Sequence, residues 1–150
     1  ENMYQSIKYI ISYLIDNNYK SKLIIENPAG VGTELLKTPL DFCKFYNKFT
    51  NKEKKNLGIC IDTAHIWSSG FDIMEYYKNF SELNNVIVIH LNNSKVTKGA
   101  LLDRHEYLFD GKININDLKN FVSKMKESII ILEKPTNKYI SEFEWIKNIN

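Results

Sequence analysis

Residues 57–65 read Leu57-Gly58-Ile59-Cys60-Ile61-Asp62-Thr63-Ala64-His65. An apolar run with β-branched residues and no alternation is the pattern of a short strand covered on both faces. It delivers a carboxylate, Asp62, at its C-terminal end, and His65 follows at the exit. The same grammar recurs: Leu23-Ile24-Ile25 delivers Glu26, Val86 to Ile89 delivers His90, and Ile129 to Leu132 delivers Glu133. Every buried strand therefore ends on a side chain able to bind a metal.

Helical periodicity fills the intervals. Met3, Ile7, Ile10, Ile11 and Leu14 predict a helix over about residues 3–17, closed by Asn17-Asn18. Thr38-Pro39-Leu40-Asp41 combines an N-cap hydroxyl, proline at the first helical position and an acid at N3. A helix to about Phe49 is expected there, with Phe42, Phe45, Tyr46 and Phe49 on its apolar face. Met74, Tyr76, Tyr77 and Phe80 mark another, Ile115, Leu118, Phe121, Val122 and Met125 a further one, and Ile140, Phe143, Ile146 and Ile149 the last. Strands alternating with amphipathic helices give the α/β class with a parallel sheet. Polar groups at the C-terminal end of every strand favour a (β/α)8 TIM barrel, of which these four β/α units make about the C-terminal half. A doubly wound open sheet would gather its ligands at one switch point, usually behind a glycine-rich first turn.

At 150 residues the chain suffices for one domain with a real core. Its 43% hydrophobic and 25% charged residues suit a soluble globular protein, and no apolar run reaches the roughly 18 residues of a membrane span. There is no signal-like segment, so a membrane partner is not expected. Cys43 and Cys60 are too few for a disulfide framework and lack a second cysteine at ligand spacing. They read as buried thiols in a reducing, intracellular compartment. A net charge of +2 permits a nucleic-acid partner without arguing for one. The chain opens at Glu1, inside a helical pattern, so a preceding segment is expected.

The three histidines are His65, His90 and His105. Neutral imidazole with carboxylate is the donor set for zinc, manganese or iron. A lone buried histidine is more often a hydrogen-bonded core residue, and a strand-end acid more often a cap. Their joint occurrence reverses those odds. Asp103 and His105, if locally extended, leave the chain on the same side and can grip one ion. Clustered Glu26, Asp62, Asp103 and Glu133 would repel one another severely without cations. With the histidines they exceed what one tetrahedral ion can take, so more than one ion is implied.

The segments Ile25-Glu26-Asn27-Pro28-Ala29-Gly30-Val31-Gly32, Cys60-Ile61-Asp62-Thr63-Ala64-His65, His90-Leu91-Asn92-Asn93-Ser94-Lys95, Asp103-Arg104-His105 and Leu132-Glu133 together resemble the C-terminal half of the endonuclease IV family. That family comprises zinc-dependent apurinic/apyrimidinic (AP) endonucleases of base-excision repair on a (β/α)8 barrel. The resemblance implies three Zn2+ ions in the complete site, duplex DNA carrying abasic sites as partner, and a monomeric complete protein. It casts Glu26 as the carboxylate bridging two zincs beside the hydrolytic water. Asp62, His90 and Glu133 match the other ligands of the second of those zincs, and His65, Asp103 and His105 match the ligand set of the third. The remaining zinc takes two histidines from the N-terminal half, which this chain does not contain. Asn93 stands where the family usually has Asp, and Glu106-Tyr107-Leu108-Phe109 replaces a more usual His-Ser-Leu-Gly.

The reaction so implied is hydrolysis of the phosphodiester 5′ to an abasic site, with zinc activating water and stabilising the attacking and leaving oxygens. Lys95 and Arg104 are the candidate phosphate contacts, with Lys98 and Lys112 balanced between that role and solvated surface. Gly30 and Gly32 let the loop after Glu26 turn tightly. Trp67-Ser68-Ser69-Gly70 and Lys134 to Tyr139 are expected as site-facing loops. Two other classes stay open. Glu, Asp, His and Glu on four strands would also serve a xylose-isomerase-like sugar isomerase or epimerase, which the extra Asp-x-His disfavours. A half-barrel fragment that binds metal or DNA without turnover is the other.

Overall fold

The computed structural model describes residues 1–80, 85–134 and 139–149. Helix α1 (Asn2–Asp16) precedes strand β1 (Leu23–Glu26), and α2 (Pro39–Tyr46) leads to β2 (Leu57–Asp62). Two helices follow, α3 (Thr63–Ser68) and α4 (Ile73–Phe80), then β3 (Val86–His90). A two-stranded antiparallel hairpin, β4 (Asn93–Ser94) with β5 (His105–Glu106), comes before α5 (Ile115–Lys124). Strand β6 (Ile129–Ile131) and helix α6 (Tyr139–Lys147) complete the chain. The main sheet is parallel with order β1-β2-β3-β6. Four parallel strands with helices between them make an α/β partial barrel.

The strands form for the expected reasons. All six residues of β2 are buried, as a strand central to a covered parallel sheet requires. One face meets the helices: Leu57, Ile59, Ile61 and Ile89 join Phe42, Phe45, Tyr46, Tyr76, Phe80 and Phe121 in the core. The opposite face carries Cys60 and Asp62, with Glu26 in register with Cys60 and His90 with Asp62. Gly58 lies on β2 because a Cβ there would collide with Cδ1 of Ile87.

The predicted start of α2 holds in detail. Thr38 Oγ1 accepts from Asp41 N at 3.1 Å, and Pro39 occupies the first turn. The helix ends at Tyr46 rather than Phe49, because Lys48 N and Phe49 N bond three residues back in tighter turns. Phe49 is buried all the same. The final helix covers only part of its apolar stripe. Ile140 and Phe143 are 78% and 54% exposed, whereas Glu142 is buried. The second half of the stripe, Ile146 and Ile149, packs against the core together with Trp145.

Candidate metal centre

The sheet brings Glu26, Asp62, His90 and Glu133 together, one from each strand end or the residues just past it, with candidate ligand atoms all within 4.8 Å of one another. His90 Nδ1 lies 2.9 Å from Glu133 Oε2, 3.1 Å from Glu26 Oε1 and 4.0 Å from Asp62 Oδ2. Asp62 is fully buried, and both its oxygens are engaged. Oδ1 caps α3 by accepting from His65 N at 2.9 Å, and Oδ2 accepts from Asn92 Nδ2 at 2.7 Å. Burial first, then the Asp62 charge, pushes the Glu26 carboxyl above its ordinary value against the pull of His65 and His90. Cys60 lies within the same reach of Glu26 and His90, and burial holds its thiol protonated. Cys43, expected buried, is only half so.

A second group sits beside the first. Asp62, His65 and His105 offer ligand atoms within 4.8 Å of one another. Asp103 joins them: its Oδ1 is 3.0 Å from His105 Nε2 and its Oδ2 is 3.4 Å from His65 Nε2. His65 Nδ1 faces the Asn27 carbonyl at 2.9 Å, and His105 Nδ1 faces the Glu133 carbonyl at 3.2 Å. A carbonyl can only accept, so each Nδ1 donates and each neutral ring carries its lone pair on Nε2. Both Nε2 atoms are buried and make no hydrogen bond among the described residues. Two bare lone pairs against one carboxylate repel unless a proton or a metal cation lies between them, so this donor set fits a metal. Burial opposes charge on His65, yet Asp62, the Asn27 carbonyl, Asp103 and Glu26 outweigh it and raise its pKa.

Several polar residues tie neighbouring strand ends together. Asn27 takes both backbone groups of Asp62, donating from Nδ2 to its carbonyl at 3.2 Å and accepting its N–H at 2.7 Å. Thr63 does the same for Asn92, donating to its carbonyl at 2.6 Å and accepting its N–H at 3.0 Å. Asn92 Oδ1 then accepts from Glu133 N at 3.0 Å. The chain Asn27, Thr63, Asn92 thus sets the register of β1 to β2 to β3 to β6. Sequence reasoning quoted these residues but gave them no role. Their signal was a polar side chain at or just past each buried strand end, where an unpaired amide or hydroxyl would be penalised.

Around the site the local structure differs from expectation in part. Asp62 and His65 were expected at a strand-to-loop exit, and Trp67-Ser68 in a site-facing loop. Instead residues 63–68 are α3, which begins on the Asp62 cap. Lys95 and Arg104 are exposed on and beside the β4–β5 hairpin; Lys95 Nζ is 3.9 Å from Glu106, and Arg104 Nη1 donates to the Asp103 carbonyl at 2.6 Å. Lys98 is paired with Asp72 beside the Trp67 ring. Lys112 is exposed. Lys134 is buried against Glu142 instead of facing the site. The rest of its expected loop, residues 135–138, lies outside the described residues. Asn93 is fully engaged, donating to Leu108 O and Ile113 O and accepting from Ser94 N and Ile113 N. It shapes the loop that Phe109 occupies, where Phe109 meets the Trp145 ring edge-on. Gly30 and Gly32 adopt positive φ, 87° and 54°, in line with the tight turn expected after Glu26.

A family profile described as "Xylose isomerase-like TIM barrel" matches residues 1–149. The chain belongs to that family. Its relatives place it with the endonuclease IV and AP-endonuclease-like members. It is 31% identical over 161 residues to an "Apurinic-apyrimidinic endonuclease" of Caenorhabditis elegans, covering all of this chain and 40% of that protein. It is 28% identical to a "Probable endonuclease 4" of Buchnera aphidicola, covering 93% of this chain and 54% of the relative. The chain thus spans about half the length of the curated relatives it matches. Among solved structures, endonuclease IV from Thermus thermophilus superposes with a TM-score of 0.74 at 23% identity, over 94% of this chain and 56% of that one. A D-tagatose 3-epimerase-like protein superposes with a TM-score of 0.75 at 21% identity, over 97% and 52%. At that identity both likenesses speak to the fold alone.

Proposed function

We propose that these residues are the C-terminal half of a single (β/α)8 domain that hydrolyses the phosphodiester 5′ to an abasic site in duplex DNA, in a zinc-dependent repair reaction. The observation that carries it is the second donor group. His65 and His105 present bare, buried Nε2 atoms to Asp103 beside the Glu26–Asp62–His90–Glu133 cluster. Zinc held by these residues would supply the Lewis acid for activating water and neutralising the scissile phosphate. Glu26 is exposed beside the cluster, within reach of both His65 and His90, where it would help hold zinc and touch the attacking water. Lys95 and Arg104 flank the centre as phosphate contacts.

The experiment is cleavage of an oligonucleotide bearing one abasic analogue by the full-length protein, with zinc present and then chelated. Zinc-dependent nicking is expected, and Glu26→Gln should abolish it while DNA retention in a gel shift stays within a few-fold. No nicking by the full-length protein would refute the proposal.

A sugar isomerase or epimerase is the second reading. It is favoured by the four-strand Glu26–Asp62–His90–Glu133 cluster, complete without the Asp-x-His pair, and by the fold shared with the epimerase-like protein. Turnover of a ketose by the full-length protein, without nicking, would establish it.

A further inference from the structure

Asp103 comes from the segment between β4 and β5, with its side chain about half exposed, and no strand end holds it. Yet it meets His65, which α3 carries, at 3.4 Å. The segment before it is laid along the end of α3 by a set of bonds. Trp67 Nε1 donates to Val96 O at 3.0 Å, Gly99 N donates to Trp67 O at 3.0 Å, and Leu101 N donates to Ser68 O at 3.0 Å. Leu101 adopts φ 55°, and its Cδ2 sits where a Cβ on Gly30 would fall, 2.8 Å away. The last tie is made by a side chain. Ser68, 1% exposed, donates from Oγ to Leu102 O at 2.8 Å and accepts from Leu102 N at 2.8 Å. Leu102 is the residue immediately before Asp103.

We infer that Ser68 is a positioning residue that sets the Asp103 carboxylate opposite His65, and so tunes the ion held by His65, Asp103 and His105 without touching it. This inference rests on the reading that those residues share one metal. A hydroxyl that takes both backbone groups of one residue fixes that residue's orientation as well as its position, and the next side chain inherits it. The ties at Gly99 and Leu101 are backbone to backbone and survive any change at Ser68. Leu102 is 47% exposed, so the segment has room to shift when the hydroxyl is lost. Loss of the hydroxyl should therefore leave the fold in place and release the direction of Asp103. The other donor group is clamped by Asn27, Thr63 and Asn92 and, among the described residues, has no bond to Ser68. A Ser68 change should leave it alone.

The test is Co2+ titration of the chelated, metal-free full-length protein, following the visible absorption bands of successive ions, for wild type, Ser68→Ala and Ser69→Ala. Ser69 is the control, since among the described residues its hydroxyl bonds to Ile66 O in the preceding turn and to nothing near Asp103. Partners that orient ligands are worth about 10- to 100-fold in metal affinity. With the backbone ties intact, Ser68→Ala is expected to weaken one ion by about tenfold, with its bands altered and the tighter and weaker steps otherwise unchanged. Ser69→Ala should match wild type. A melt of each metal-free variant separates this from general destabilisation, and metal-free Ser68→Ala is expected to melt within a few degrees of wild type. Equal weakening of all ions, or affinities and spectra unchanged in Ser68→Ala, would overturn the inference. Failure of wild type to bind Co2+ would overturn the metal-centre reading itself, and the inference with it.

Discussion

Glu142→Leu is the perturbation that best probes how the back of the centre is held. Glu142 and Lys134 side chains are 1% and 3% exposed, and Lys134 Nζ donates to Oε1 and Oε2 at 2.9 and 3.0 Å. Oε1 also accepts from Leu108 N, so one carboxylate joins α6, the segment after Glu133 and the loop after His105. Truncating one member of a buried pair leaves its partner's charge unpaired, which costs about 3–5 kcal/mol. Burial already lowers the Lys134 pKa against the pull of Glu142 and Glu106, so the amine can shed its proton and cap that loss. For 150–250 residues, each kcal/mol is about 2–4 °C in Tm, so a drop on the order of 10 °C is expected. Adding Lys134→Met should recover about half of it, because an apolar pair of similar volume replaces a buried ion pair with little loss. About 1–3 kcal/mol should remain for the unpaired Leu108 N–H. Urea and thermal melts of wild type, single and double variants, all chelated, measure this. A single variant within about 1 kcal/mol of wild type, or a double variant no more stable than the single, would refute the reasoning.

Asn93→Asp turns two donated bonds, to Leu108 O and Ile113 O, into contacts between acceptors; urea melts should show a loss of about 1–3 kcal/mol. Glu26 and His65 both titrate above their ordinary values of 4.5 and 6.5. A raised folded-state pKa gives stability that is full below the unfolded value and lost as pH rises through the folded one. Chelated protein should therefore lose stability as pH climbs from about 4.5 for Glu26 and from about 6.5 for His65. Zinc competes with protons for the same atoms, so the increment in Tm on adding zinc should grow with pH. An increment that shrinks between mildly acidic and mildly alkaline pH would contradict that.

The long-range plan was legible wherever one residue type had one reason to be where it is. Thr38, Pro39 and Asp41 each satisfy a different need of a helix start, and β2 is apolar because both its faces are covered. What escaped were features that depend on partners distant in sequence. The two-residue strands β4 and β5 are too short to show a period, and exist because Asn93 and Ser94 pair with Glu106 and His105. For α6, periodicity shows that an apolar stripe exists and not that Ile140 and Phe143 stay exposed while Ile146 and Ile149 pack on the core. Glu142 broke the apolar pattern, and was buried because Lys134 and Leu108 N meet it there.

The missed helix α3 has a different lesson. Its start signal, an aspartate at the N-cap, is in plain view at Asp62, but the same carboxylate is also a candidate metal ligand, and the two readings compete. Its two oxygens have different partners. Oδ1 ends the run of unpaired amides by accepting from His65 N, and Oδ2 faces His90 at 4.0 Å and His105 at 3.5 Å. The cap is what turns the chain into a helix immediately after the strand. That turn brings His65, three residues on, beside Asp62 on the same side of the sheet, where an extended continuation would carry it away. The compact Asp-x-x-His motif is thus a folding signal and a donor pair at once, and its spacing is one turn of the helix that the aspartate starts.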